Sequence, residues 1–182
     1  GATFGGGGGS MLASASSSNS ASQGIRLDGA SGTLTILGGA ITGAGTTAFD
    51  VVGGGGSISY SGTINNSGNR AVSVRNRTGT AQVSFLGSIT DTGRGVLVDA
   101  NAAGSLVRFS GGMALNTGTF PAFVATGGGT VVVCDRNPCG SGTAVTNVLS
   151  TTTATALQVL NTTIGSNDLV FRSISSNGAS SG

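Results

Sequence analysis

Ile58–Val74 reads ISYSGTINNSGNRAVSV, and Gln82–Val98 reads QVSFLGSITDTGRGVLV with the same grammar 24 residues on. Each is an apolar–polar alternation, a Gly, a lone Ile, a polar corner with a second Gly, and a new alternation. Period-two alternation is the mark of a half-buried strand. A recurrence at this interval is the mark of a repeat architecture, and no other feature constrains the fold as tightly.

The recurrence extends along the chain. A small residue followed by an alternating apolar pair opens at Gly24, Ala48, Ala71, Gly95, Ala122 and Ala156, at spacings of 24, 23, 24, 27 and 34. GATF at Gly1 fits as an earlier copy. The inward pairs of this first strand are Ile25/Leu27, Phe49/Val51, Val72/Val74, Val96/Val98, Phe123/Ala125 and Leu157/Val159. A second strand carries Leu34/Ile36, Ile58/Tyr60, Val83/Phe85, Val107/Phe109, Val131/Val133 and Leu169/Phe171. A short third strand carries Ile41, Ile64, Ile89, Met113 and Ile174. Gly39, Gly62, Gly87 and Gly111 stand two residues before four of these. Gly45, Gly68, Gly93, Gly118 and Gly178 follow at a corner. Glycine tolerates both positive φ and close backbone approach, which corners require.

Hairpins do not produce matching strands every 23 or 24 residues, whereas stacking each turn of chain on the last, about 4.8 Å higher, does. The expected fold is all-β: a right-handed parallel β-helix (β-solenoid) of about 6–7 coils, with 23–24 residues and three short strands per coil. The competing readings are a Gly/Ser linker and an antiparallel sandwich. Glycine supplies 35 of 182 residues, well above the usual ~7%, but 37% of the chain is hydrophobic and mean hydropathy is +0.27. That is too apolar for a disordered linker. There is no Glu and no Lys, so strong helix formers are scarce.

The whole chain, 1–182, reads as one solenoid domain. Residues 1–23 are a degenerate first coil or a linker, with Ala2/Phe4 and Met11 falling where the register wants apolar residues. Residues 134–143 are a loop insertion. Gly182 falls where the next repeat would open, so the expectation is a segment of a longer array, or end-to-end stacking on same-chain or neighbouring coils.

The stretches SGTINNSGNRAVSV, LGSITDTGRGVLV and RSISSNGASSG resemble the repeats of bacterial secreted and cell-surface β-helix proteins: autotransporter passengers, filamentous adhesins and pectate-lyase-like proteins. The resemblance covers about residues 24 to 182. It implies a secreted or cell-surface location and a stalk, adhesin or scaffold role, with polysaccharide degradation in some members.

The chemistry-bearing residues are few. All eight cations are Arg, all six acids are Asp, and His is absent, so His-based catalytic dyads and triads are excluded. Asp28 and Asp99 share an offset, but three coils separate them, too far for a glycosidase carboxylate pair. No cofactor or metal site is expected. A net charge of +2 with scattered arginines gives no footprint for nucleic acid. No apolar run reaches the ~20 residues of a membrane helix, so membrane insertion is not expected. The expected function is a non-enzymatic structural segment. The alternatives are a polysaccharide-acting β-helix enzyme and a carbohydrate-binding module using the solenoid face.

Cys134 and Cys139, five apart around Asp135-Arg136-Asn137-Pro138, read first as a small disulfide loop, with free thiols and a metal site as the alternatives. Arg26 with Asp50, and Arg75 with Asp99, share offsets in adjacent coils and are expected as exposed charge pairs. Arg70 and Arg94 each precede a repeat opening and would stack at one corner with Asp91 nearby. They read first as a solvated face; as the alternative, Arg70, Arg94 and Asp91, with Arg136 of the Cys loop, are the candidate contacts for a cell-surface glycan or protein. Asn65 and Asn66 read as turn chemistry or a short polar ladder rather than a ligand site, and Asn76-Arg77-Thr78 and Asn161-Thr162-Thr163 match glycosylation acceptors.

Overall fold

The computed structural model of the chain describes residues 3–4 and 9–178, and of residues 3–4 the backbone alone. The expectations for Gly1, Ala2, the Phe4 side chain and Gly182 lie outside the described residues. Every described strand of the rod pairs in parallel, and the strands form three sheets. The protein is therefore a β-solenoid, with no helix among the described residues.

The first sheet contains six strands, from Ile25–Asp28 through Thr47–Val52, Arg70–Arg75, Val96–Asp99 and Phe123–Thr126 to Leu157–Leu160. Its register aligns Ile25, Phe49, Val72, Val96, Phe123 and Leu157 in one column. Leu27, Val51, Val74, Val98, Ala125 and Val159 form the next. All six expected inward pairs are in place, because alternate residues of a strand face one side.

The second sheet stacks Ser31–Ile36, Ser57–Tyr60, Gln82–Phe85, Leu106–Phe109, Thr130–Val133 and Thr163–Leu169. Leu34, Ile58, Val83, Val107 and Val131 form a column, as do Ile36, Tyr60, Phe85, Phe109 and Val133. The last expected pair is corrected. Ile164, not Leu169, lies against Val131, and Leu169 lies against Val133. The intervening residues bulge out, and Asp168 takes a left-handed conformation there (φ 61°). Phe171 instead packs its ring 5.9 Å from Phe123.

The third sheet stacks Ser17–Ser18, Ala40–Thr42, Thr63–Asn66, Ile89–Asp91, Met113–Gly118, Asn147–Thr151 and Ser173–Ser176. Ile41, Ile64, Ile89 and Met113 form the expected column, buried to 2% exposure or less. Ile174 does not continue it. Asn147 takes that place, and Ile174 pairs with Leu149 in the neighbouring column. The Asn147 side chain donates to the carbonyls of Cys134 (2.8 Å) and Val170 (2.9 Å), tying the insertion's exit to the next coil.

Residues 10–18 form a partial first coil. Ser10–Leu12 pairs with Leu34–Ile36 and Ser17–Ser18 with Ile41–Thr42. Met11 faces outward opposite Thr35 and is 70% exposed, so its expected inward position is wrong. Leu12, one residue on, occupies the inward column.

Rings link the coils through the core. Tyr60–Phe49, Phe49–Phe85, Phe85–Phe109 and Phe109–Phe123 have centroids 4.9, 5.3, 5.2 and 5.6 Å apart. Such pairs stabilise beyond their buried area by about 0.5–1.5 kcal/mol each.

At Gly62, Gly87 and Gly111 the glycine before the third strand answers to stacking rather than to φ. A Cβ on Gly87 would lie 1.9 Å from the Gly62 carbonyl oxygen, and one on Gly111 2.1 Å from that of Gly87. A different column answers to φ. The residue five after each opening position is left-handed in every coil: Gly29, Gly53, Asn76, Ala100, Gly127 and Asn161, at φ 50–72°. This is the bend from the first sheet into the second, and Gly and Asn are the residues that tolerate it.

Candidate functional site

Three groupings bring together the charged residues singled out from the sequence. The first lies on the first sheet. Arg26 reaches Asp50 at 3.1 Å, as the shared offset implies, and Asp28 at 2.8 Å. Arg75 reaches back to the same Asp50 oxygen at 3.2 Å. It makes no ion pair with Asp99, whose carboxylate accepts the Thr126 hydroxyl at 2.7 Å. Nor is Asp50 exposed: only 1% of its side chain is accessible, roofed by the two arginines. The hydrogen bond from Arg26 holds the Asp28 carboxyl below its ordinary range, and Asp28 raises Arg26 in return. This grouping is internally neutralised and offers little to a ligand.

The second grouping is the corner joining the third sheet to the first. Arg70 and Arg94 stack one coil apart, as expected, and an Arg70 Nη donates to the Arg94 carbonyl at 3.3 Å. One coil further, Phe120 places its ring 4.6 Å from the Arg94 guanidinium carbon. Burial and the neighbouring Arg94 charge push the Arg70 pKa down. Asp91 lies behind this corner rather than on it, with 0% exposure. Its Oδ2 accepts the Gly95 N–H at 2.5 Å. Burial pushes its pKa up to about 6 against the pull of the backbone donors.

The role of Asp91 follows from its equivalents. A polar residue four or five before the opening position closes this corner in other coils. Ser20 donates to the Gln23 carbonyl, Asn66 to those of Asn69 and Arg70, Thr117 to that of Phe120 and Thr151 to that of Ala154. Asn66 also accepts the Ala44 N–H at 2.9 Å, so it is turn chemistry as expected. Asp91 is the acidic version of this corner residue.

The third grouping is the Cys loop. Cys134 and Cys139 form a disulfide, with Cα atoms 5.3 Å apart. The excursion runs to residue 146, three beyond the expected 143, because the third sheet resumes at Asn147. Within it Arg136–Asn137 pairs antiparallel with Thr143–Ala144. The Asn137 side chain fastens the loop to earlier coils, donating to the Leu86 carbonyl at 2.7 Å and accepting from Ser110 at 3.2 Å. Arg136 is exposed and donates to the Gly142 carbonyl. It sits where the second sheet meets the third, on a different edge of the rod from Arg70 and Arg94. The four candidate contacts therefore do not converge: two share a surface, one is interior and one is elsewhere.

Arg77 is the residue that sequence reasoning missed most completely. It is 2% exposed, and its guanidinium donates to the carbonyls of Gly53 and Gly56 one coil below. The run Gly53–Gly56 is thus a cradle for a buried cation. Its backbone N–H donates to Asn101, whose amide donates to the Val74 carbonyl.

Among the described residues no cluster of three or more His, Cys, Asp or Glu is placed to hold a metal ion, and no helix is long and apolar enough to cross a membrane. Fold and surface together define a parallel β-solenoid whose polar interior builds its own corners. No protein-family model, curated protein or solved structure matches the chain.

Proposed function

We propose that the chain is a non-enzymatic scaffold segment of a secreted or cell-surface β-solenoid protein, which holds or displays other parts by stacking coil on coil. The observation that carries this reading is where the buried polar side chains go. Asn66, Arg77, Asp91, Asn101 and Asn147 all bond backbone groups at corners, and Asp50 is capped by two arginines. An acid–base pair needs such groups within hydrogen-bond reach of a substrate, and these are committed to the protein's own backbone and arginines. The disulfide fits an oxidising compartment.

The last described coil supports a stacking role. Ile164 and Ile174 are 50 and 49% exposed, although the columns they extend, through Val131 and Leu149, are buried in earlier coils. Its three strand edges match only another three-sided coil. The Ile25–Asp28 edge, at the other end of the same sheet, is also without a partner strand among the described residues. Further coils, of the same chain or of a neighbouring copy stacked head to tail, satisfy both.

The test pairs sedimentation velocity over a concentration series with a product-release assay on neutral and acidic polysaccharides. The reading expects association that Ile164→Lys/Ile174→Lys abolishes, and no turnover. Catalytic release of saccharide products overturns the scaffold assignment. A concentration-independent monomer overturns the stacking.

A further inference from the structure

The Arg70–Arg94–Phe120 corner has no structural account of the kind that covers Arg26, Arg75 and Arg77. Arg26 and Arg75 are paired with Asp50, and Arg77 is bound by carbonyls. Arg70 and Arg94 stand one coil apart, about 4.8 Å, and form no ion pair among the described residues. The acid nearest in sequence, Asp91, is enclosed and turned to the Gly95 N–H. Two like charges this close disfavour one another: burial first, and then the Arg94 charge, push the Arg70 pKa down against the pull of Asp91. A bound anion would relieve the repulsion.

Phe120 adds an apolar platform. Phe120 is 39% exposed. The backbone around it is fixed: Phe120 N–H donates to Thr117 O at 3.1 Å, and the buried Thr117 hydroxyl donates to Phe120 O at 2.6 Å. Arg94 lies over the ring. Two planar donor forks beside a fixed ring recognise a carboxylate on a compact apolar frame. We propose that Arg70, Arg94 and Phe120 form a binding site for a carboxylated sugar, with the arginines on its carboxylate and the ring against its C–H face.

The surroundings select among anionic ligands. An extended peptide needs a free strand edge or a groove for its backbone, but Arg70–Arg75 and Val96–Asp99 are paired on both sides. Nucleic acid needs a longer track of cations than two. A sugar needs only the forks, the ring and a polar rim, which the exposed Thr92 and the half-buried Asn69 supply. This site is independent of coil stacking: a scaffold that fails to self-associate still carries it.

The experiment is calorimetric titration of the full chain at low salt with a hexuronic acid tetramer, the neutral hexose tetramer and an acidic peptide. The expectation is saturable binding of the uronic acid tetramer alone. Arg70→Gln, Arg94→Gln and Phe120→Ala should each weaken it about tenfold, the scale of one lost charge-assisted hydrogen bond. Arg136→Gln, on another edge, should leave it unchanged. Arg94→Lys keeps the charge, loses the fork, and should fall between. Circular dichroism of each variant confirms the fold. The proposal is overturned by no saturable binding, by equal binding of the neutral sugar, by preference for the peptide, or by equal losses from Arg136→Gln and Arg94→Gln.

Discussion

Gly87→Ala is the sharpest perturbation of the stack. The added Cβ would sit 1.9 Å from the Gly62 carbonyl oxygen, where ordinary contact begins near 3.4 Å, so 3.4 minus 1.9 leaves about 1.5 Å to open. Hydrogen bonds flank the point on both sides: Leu86 N–H to Tyr60 O at 2.8 Å and Ile64 N–H to Ser88 O at 2.9 Å. An opening of that size carries both past bonding distance. Two lost bonds cost about 1–3 kcal/mol together, and parting Ile64 from Ile89 adds apolar exposure, giving about 3–5 kcal/mol. Gly68→Ala is the control. Gly68 has φ 82° and nothing within 4 Å of its would-be Cβ, so it incurs backbone strain alone, about 1–2 kcal/mol. Urea unfolding by circular dichroism measures both, with hydrogen exchange at Leu86 and Ile64 to localise the damage. If Gly87→Ala costs no more than Gly68→Ala, the close approach of coils is wrong.

Ala100 is the misfit in the left-handed column, at φ 50° with an exposed side chain, so Ala100→Gly should raise stability by about 0.5–1 kcal/mol in a urea titration. The Asp91 carboxyl is raised to about 6 in the folded protein. The folded state therefore holds this proton more tightly than the unfolded chain. That contribution is complete below about pH 4 and is lost as pH rises through about 6, some 2–3 kcal/mol in all. Asp91→Asn should flatten the stability profile between pH 4 and 7, and an unchanged wild-type-minus-variant difference across that window refutes it. Phe85 is 1% exposed between Phe49 and Phe109, so Phe85→Ala should cost about 3–5 kcal/mol, and a loss under about 1 kcal/mol would show that the rings do not stack.

The columns were legible because two periods coincide, two residues within a strand and about 24 between coils. Leu27 over Val51 over Val74 follows from both at once. Legibility failed where local chemistry shifted the register. The Leu169/Phe171 alternation imitates an inward pair, and nothing in it announces the preceding bulge. Asn147 displaces an apolar residue because the exit of the Cys loop needs its amide. Asp91 and Arg77 looked like surface residues because charge usually is, yet each sits where the backbone supplies its partners. The corner offset that explains Asp91 was present in the sequence, disguised by its mixture of Ser, Asn, Asp and Thr. The residues of the Arg70–Arg94 pair were legible from their shared offset. Phe120 was not, because it belongs to a turn outside every apolar column.

Disulfide trapping tests the parallel stack most directly. Ser59 and Ser84 are register partners on the outer face of the second sheet, and Arg108 lies one coil beyond Ser84. Neighbouring strands about 4.8 Å apart bring two cysteines within bonding range, and strands twice as far apart do not. Ser59→Cys/Ser84→Cys should therefore oxidise to an intramolecular bridge identified by mass spectrometry, while Ser59→Cys/Arg108→Cys should not. A bridge in the second pair, or none in the first, contradicts the 24-residue parallel coil.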